Sequence, residues 1–167
     1  MSDTQENLQK AFTGECQANR RYLFFADKAD KEGYPQIARL FRATADAETV
    51  HARSHFAAMC GIGETKDNLE KAIQGEEYEF TEMYPDFIKQ AESENKKRAQ
   101  MSFEFANEVE KVHHELYQKA LETLEAGDPP KDEPYYVCQV CGHIVVGEAP
   151  EVCPICGAPL KVFKRVE

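Results

Sequence analysis

Four cysteines near the end of the chain form two Cys-x-x-Cys pairs, Cys138/Cys141 and Cys153/Cys156, each followed directly by glycine. A tight turn of that kind presents two thiolates to one ion. The glycine accepts a left-handed backbone, and the N–H groups of the turn can point at sulfur. Two such turns make a tetrahedral S4 site suited to zinc or to a single iron. Spacing alone leaves those two metals even. In a reducing compartment the pairs read as metal ligands before disulfides. His143 is expected on the surface, because four thiolates already fill the shell. Cys16 and Cys60 stand apart and read as small buried core residues.

A second set of metal-ligating types lies upstream. Glu48/His51 and Glu110/His113 are Glu-x-x-His motifs, and on a helix positions i and i+3 share a face. Each pair can grip one metal. Two such motifs are weak evidence in a chain this rich in glutamate; the pseudo-repeat around them is stronger. A four-helix diiron site takes one Glu from each of two helices and Glu-x-x-His from each of the other two. Glu15 precedes Glu48 by 33 residues, and Glu79 precedes Glu110 by 31. Four carboxylates and two imidazoles gathered at one level are costly without cations. Glu82 shares a helical face with Glu79 and is a further candidate. Tyr22, seven residues after Glu15, reads equally as a hydrogen-bond donor to a ligand carboxylate or as a core tyrosine. His55 is expected to be structural and His114 solvated.

The elements that must position these groups are helices. The first 126 or so residues are rich in strong helix formers. Gly33-Tyr34-Pro35 and Gly61-Ile62-Gly63 break them, with Asp67 or Asn68 as a cap, and a softer break falls near Ser93-Glu94-Asn95. The reading is four helices over about 4–31, 35–60, 67–93 and 96–126, with Pro85 kinking or splitting the third. Short connections between long helices favour an all-α four-helix bundle. Gly127-Asp128-Pro129-Pro130 then ends the helical region. The tail from Tyr135 is too short to bury a core and needs its cysteines as a staple. The expected organisation is a bundle over 1–127, a linker over 128–134 and a metal-bound β module over 135–167.

Composition narrows the function. The 167 residues carry a formal net charge of -10, a poor match for nucleic acid or anionic membrane. No apolar run approaches a membrane span. Met1 to Lys10 is polar, so no signal peptide is expected and the cytoplasm is the expected location.

Taken together, these residues resemble the rubrerythrin family. The resemblance is carried by Gly14-Glu15-Cys16-Gln17-Ala18-Asn19-Arg20-Arg21-Tyr22-Leu23, Ala47-Glu48-Thr49-Val50-His51-Ala52, Glu79-Phe80-Thr81-Glu82-Met83-Tyr84-Pro85, Glu110-Lys111-Val112-His113 and the two cysteine turns. It implies a ferritin-like bundle with two non-haem irons and a rubredoxin-like tail with one iron. It further implies that Glu48 and Glu110 bridge, that Glu15 is terminal on one iron, and that Glu79 and His113 are terminal on the other. The first iron would exchange His51 for Glu82 as its redox state changes. The implied activity is reduction of hydrogen peroxide to water. Electrons would come from an NAD(P)H-linked reductase or a rubredoxin-type carrier, in protection against oxidative stress. A ferroxidase or oxygen-reducing diiron protein is the alternative.

Helix length adds an expectation about assembly. Glu110 lies about 24 Å before the end of the last helix at 1.5 Å per residue. The tail of one chain is therefore expected far from its own helical ligands. A head-to-tail homodimer, with electron transfer between chains, would bring them together.

Overall fold

The structure, a computed structural model, describes residues 3–128 and 131–166. Pro129 and Pro130 of the expected linker lie outside the described residues. The fold is an all-α four-helix architecture followed by a small strand module that carries the four cysteines. The chain divides into two compact units, Met1–Gly63 and Glu64–Glu167. This division falls elsewhere than the domain boundaries expected from composition. None of the helices is long and apolar enough to cross a membrane among the described residues.

The first unit is a helical hairpin of α1 (Asp3–Lys31) and α2 (Pro35–Ala58). Gly33, at φ +82°, makes the left-handed turn between them, and Pro35 opens α2, where its missing N–H costs nothing. The buried positions are small: Ala26 and Ala29 on α1, and Ala38, Ala45 and Ala52 at heptad spacing on α2. Alanine at those positions lets the two backbones approach closely. Asn19 shows it by donating across the hairpin to the Ala45 carbonyl (2.7 Å) and the Thr49 hydroxyl (2.9 Å). Phe12 stacks on Phe56, and Phe25 meets Phe41 edge-on. Level by level, these contacts set the register in which Glu15 faces Glu48.

The second unit pairs α3 (Thr65–Tyr78) and α4 (Tyr84–Ser93) with α5 (Lys97–Glu125). The start of α3 is two residues earlier than expected, because Glu64 caps it and its N–H reaches Asp67. Between α3 and α4 the helix widens into a π turn over Glu79–Met83, where the Tyr84 N–H bonds the Glu79 carbonyl. Pro85 explains the place: it lacks an N–H, so regular α-helical pairing fails at this point. The predicted kink is thus a widened turn, a form that π bulges take at functional sites. Phe87 packs on Phe103 and Phe80 on His114, holding both segments to α5.

After α5, Gly127 adopts φ +73° and ends the helix. The tail forms a three-stranded antiparallel sheet in the order β2 (Ile144–Val146), β1 (Tyr135–Cys138), β3 (Phe163–Val166). It does not run away from the ligand level of α5, as the length argument expected. It lies back along that helix, with Tyr135 and Val146 lining a cleft opposite Leu116, Ala120 and Thr123.

Candidate metal centres

The hairpin of the first unit brings Glu15, Glu48 and His51 together, with their ligand atoms within 4.8 Å of one another. His51 Nδ1 lies 2.9 Å from Glu48 Oε2 and 3.8 Å from Glu15 Oε1. The second unit repeats this with Glu76, Glu110 and His113: His113 Nδ1 is 2.7 Å from Glu110 Oε2 and 3.8 Å from Glu76 Oε2. Each unit therefore offers two carboxylates and one imidazole, a hard, anionic donor set that suits a divalent iron. Each set has donors of the kind that helical carboxylate-bound iron takes.

The carboxylate grouped with Glu110 and His113 is Glu76, where the sequence reading placed Glu79. Glu76 went unseen because Glu79 opened a conspicuous Glu-x-x-Glu. Two signals pointed to it. Glu15 and Glu76 each follow a glycine, Gly14 and Gly75, and Glu76 to Glu110 is 34 residues, nearer the 33 of the first pair. Glu79 is half-buried at the start of the π turn; burial raises its carboxyl most, and the charge of Glu110 adds to that. Glu82 is exposed and lies outside the cluster. The widened turn rotates it further from Glu79 than α spacing would. Tyr84 was also passed over. Burial first, and then the charges of Glu110, Glu79 and Glu76, hold its hydroxyl protonated above the ordinary range.

Other expectations also change. The Tyr22 ring packs against Phe41 and Phe25, a contact that fits either reading of its hydroxyl. His114 is half-buried against Phe80 rather than solvated. Cys16 and Cys60 are exposed, Cys16 on α1 and Cys60 in the turn that follows α2. His143 is buried, at 8% exposure, rather than on the surface.

Without metal, the second cluster is electrostatically unfavourable. Burial, hydrogen bonding to Glu110 and the charge of Glu110 raise Glu76 to about 7. Burial and Glu110 also raise Glu79. His113 is raised too, chiefly by its hydrogen bond to Glu110. All three act in one direction. A carboxyl with a raised folded pKa destabilises the fold as pH climbs past its unfolded value. A histidine with a raised pKa stabilises it only until pH passes the folded value. The melting temperature of the metal-free protein should therefore fall as pH rises from about 4.5 to about 7. Zinc or iron loading should flatten that profile. A metal-free melting temperature that rises over this window would refute the arrangement.

In the tail, Cys138, Cys141, Cys153 and Cys156 have Sγ atoms within 4.8 Å of one another. The pairs Cys138/Cys156 and Cys141/Cys153 lie at 3.7 and 3.6 Å. A regular tetrahedron with metal–sulfur bonds of about 2.3 Å has edges of about 3.75 Å, so the cage fits a single ion. Gly142 and Gly157 take φ +89° and +73°. Their N–H groups donate to the Cys138 and Cys153 carbonyls, closing both turns. Burial raises the Cys138 thiol, but N–H donors from Cys141 and Val140 outweigh it and bring it below the ordinary thiol value.

A helical carboxylate–histidine metalloprotein joined to a tetra-thiolate module is the class this chemistry defines. The family model described as rubrerythrin matches residues 6–121, and the one described as rubrerythrin, rubredoxin-like domain, matches residues 136–164. Rubrerythrin-1 of Clostridium acetobutylicum is 39% identical, over 96% of this chain and 93% of its own. Nigerythrin of Nitratidesulfovibrio vulgaris is 38% identical, over 98% of this chain and 86% of its own. A solved structure described as the partially reduced state of nigerythrin superposes with a TM-score of 0.59 at 36% identity, covering 99% of this chain and 88% of that one. The chain belongs to the rubrerythrin family. Its cofactors are two irons in the Glu/His sites and one iron in the cysteine site.

Proposed function

We propose that this protein is a peroxidase that reduces hydrogen peroxide to water, with electrons delivered through the tetra-cysteine iron. The observation that carries the proposal is the pairing of two matched carboxylate–histidine half-sites with a one-electron thiolate site in one chain. Bound iron supplies the redox chemistry: two irons together furnish the two electrons that one peroxide takes.

The chain's own residues hold and tune these ions. Glu15, Glu48 and His51 would hold one iron, and Glu76, Glu110 and His113 the other. The mobile carboxylate of the proposal is Glu79 rather than Glu82, because Glu79 is half-buried within reach of the charges of Glu110 and His113 and Glu82 is exposed. A carboxylate favours ferric iron and an imidazole ferrous iron, so Glu79 and His51 would suit different redox states of a bound iron. The Tyr84 hydroxyl, kept protonated, is a donor at the same cluster.

The electron source in this reading is a rubredoxin-type carrier fed by a separate NAD(P)H-linked reductase, in the cytoplasm. A homodimer remains part of the proposal on new ground. Phe24, Ile37, Leu40 and Val50 are exposed on α1 and α2, and apolar surface of that kind marks an association face. A second copy is the occupant proposed, and sedimentation of the holoprotein tests it.

The reaction itself is tested by mixing the anaerobically reduced, iron-loaded protein with peroxide and, separately, with oxygen in a stopped-flow cell. Rapid oxidation by peroxide and slow oxidation by oxygen are expected. Oxygen as fast as peroxide would replace this reading with a ferroxidase or oxygen reductase.

A further inference from the structure

Asn107 on α5 is half-buried, and its amide oxygen Oδ1 is enclosed with no hydrogen-bond partner. An unpaired buried acceptor destabilises a fold, so natural chains keep few of them. The first unit shows that the architecture does not need an amide at this position. Ala45 stands three residues before Glu48, as Asn107 stands three before Glu110, and Ala45 is completely buried in the alanine seam. The amide that does cross the first hairpin, Asn19, is bonded to the Ala45 carbonyl and the Thr49 hydroxyl.

Helix spacing fixes what Asn107 faces. Phe103, Asn107 and Glu110 recur at i, i+4 and i+7 and share one face of α5. Tyr84 lies along that face. Its ring packs on Phe103, with centroids 6.3 Å apart, and its hydroxyl is close enough to Glu110, Glu79 and Glu76 to feel their charges. Asn107 stands between those two anchor points. Neighbouring donors are engaged: the Thr81 hydroxyl donates to the Glu77 carbonyl, and His113 Nδ1 faces Glu110 and Glu76. An amide oxygen only accepts, and a tyrosine hydroxyl has one hydrogen to donate.

We propose that Asn107 is the positioning residue for Tyr84: its amide oxygen accepts the hydrogen bond of the Tyr84 hydroxyl when the carboxylates of the cluster are committed to metal. A carboxylate that ligates has fewer lone pairs to offer, whereas Asn107 keeps its own. When Glu79 leaves the metal and recovers its lone pairs, the hydroxyl turns back to it. The proton on Tyr84 Oη therefore has an acceptor in both arrangements and stays at the level of the cluster. This role rests on Glu76, Glu79 and Glu110 as the iron ligands proposed above, but not on peroxide as the oxidant.

NMR on zinc-loaded and metal-free protein tests it without any oxidant, so failure of the peroxidase reading leaves the result intact. Zinc loading should slow exchange of the Tyr84 hydroxyl proton by about tenfold, the effect of one hydrogen bond. It should also give that proton a nuclear Overhauser contact with the Asn107 side chain. Asn107→Leu should abolish both. A hydroxyl that exchanges equally fast with and without zinc, or protection that survives Asn107→Leu, overturns the proposal. Zinc content of the same samples reports separately on the ligand placement.

Two further readouts bear on the same role. Asn107→Leu should raise the melting temperature of the metal-free protein, because an apolar side chain replaces an unpaired acceptor. A fall would show that Asn107 has a structural partner and would overturn the proposal. If the leucine variant does not fold, Asn107→Ala removes the same acceptor and gives the same reading. In iron-loaded protein, Tyr84→Phe should slow oxidation by peroxide and Asn107→Leu should slow it less. The double variant should match Tyr84→Phe, since Asn107 acts through that hydroxyl. Losses that multiply would make the two residues independent and overturn it.

Discussion

Glu76→Ala should strip iron from the second half-site and lower peroxide turnover by at least about 100-fold, the upper end of the loss seen for partners one shell further out. Glu82→Ala should leave iron content and turnover within about twofold, as expected of an exposed substitution. The contrast comes from geometry: Glu76 shares one ligand cluster with Glu110 and His113, and Glu82 is exposed within the π turn. Glu79→Ala belongs between them. It should keep most iron, because the three-residue cluster remains, yet slow turnover if the mobile carboxylate is Glu79. Metal analysis and steady-state rates on the three variants separate the assignments. A Glu82→Ala variant that stalls while Glu76→Ala turns over normally would restore the register first read from the sequence.

The difference between Glu76 and Glu79 shows where pattern reading stopped. The Glu-x-x-His motifs and both cysteine turns were legible because their spacing is local: three residues along a helix, or one tight turn, fixes which atoms can meet. The helices were legible for the same reason, with their breaks at Gly33, Gly61 and Asn95. The π turn was only half legible. Pro85 announced an irregularity, but the choice between a kink and a widened turn depends on how Tyr84 and Phe87 seat against Phe103. That choice decides which of Glu76, Glu79 and Glu82 faces the cluster. The burial of His143 and the contact of Gly142 with His113 were not legible at all. They depend on packing between residues 29 positions apart. Helix length alone, taken as distance, pointed the other way.

Cys153→Ser should unfold the tail and bring reductase-driven turnover to background, while leaving one turnover in chemically pre-reduced protein. The module spans three short strands, and its fully buried side chains among the described residues are the ligands Cys138 and Cys153. A segment with that little core depends on its ion. Structural tetra-ligand sites contribute about 10–16 kcal/mol of apparent binding free energy, which is folding free energy when no site exists without the metal. Three thiolates and a serine hydroxyl bind iron far less well, since the hydroxyl stays protonated where a thiol ionises. Loss of the dispersed amide signals of Tyr136, Val137 and Phe163 would report the unfolding. The helical ligands Glu15, Glu48, His51, Glu76, Glu110 and His113 lie outside the module, so their iron should be retained and oxidised once by peroxide. Full reductase-driven turnover in this variant would reduce the thiolate site to a staple for the fold. Conversely, a folded module without its metal would show that the strands hold themselves.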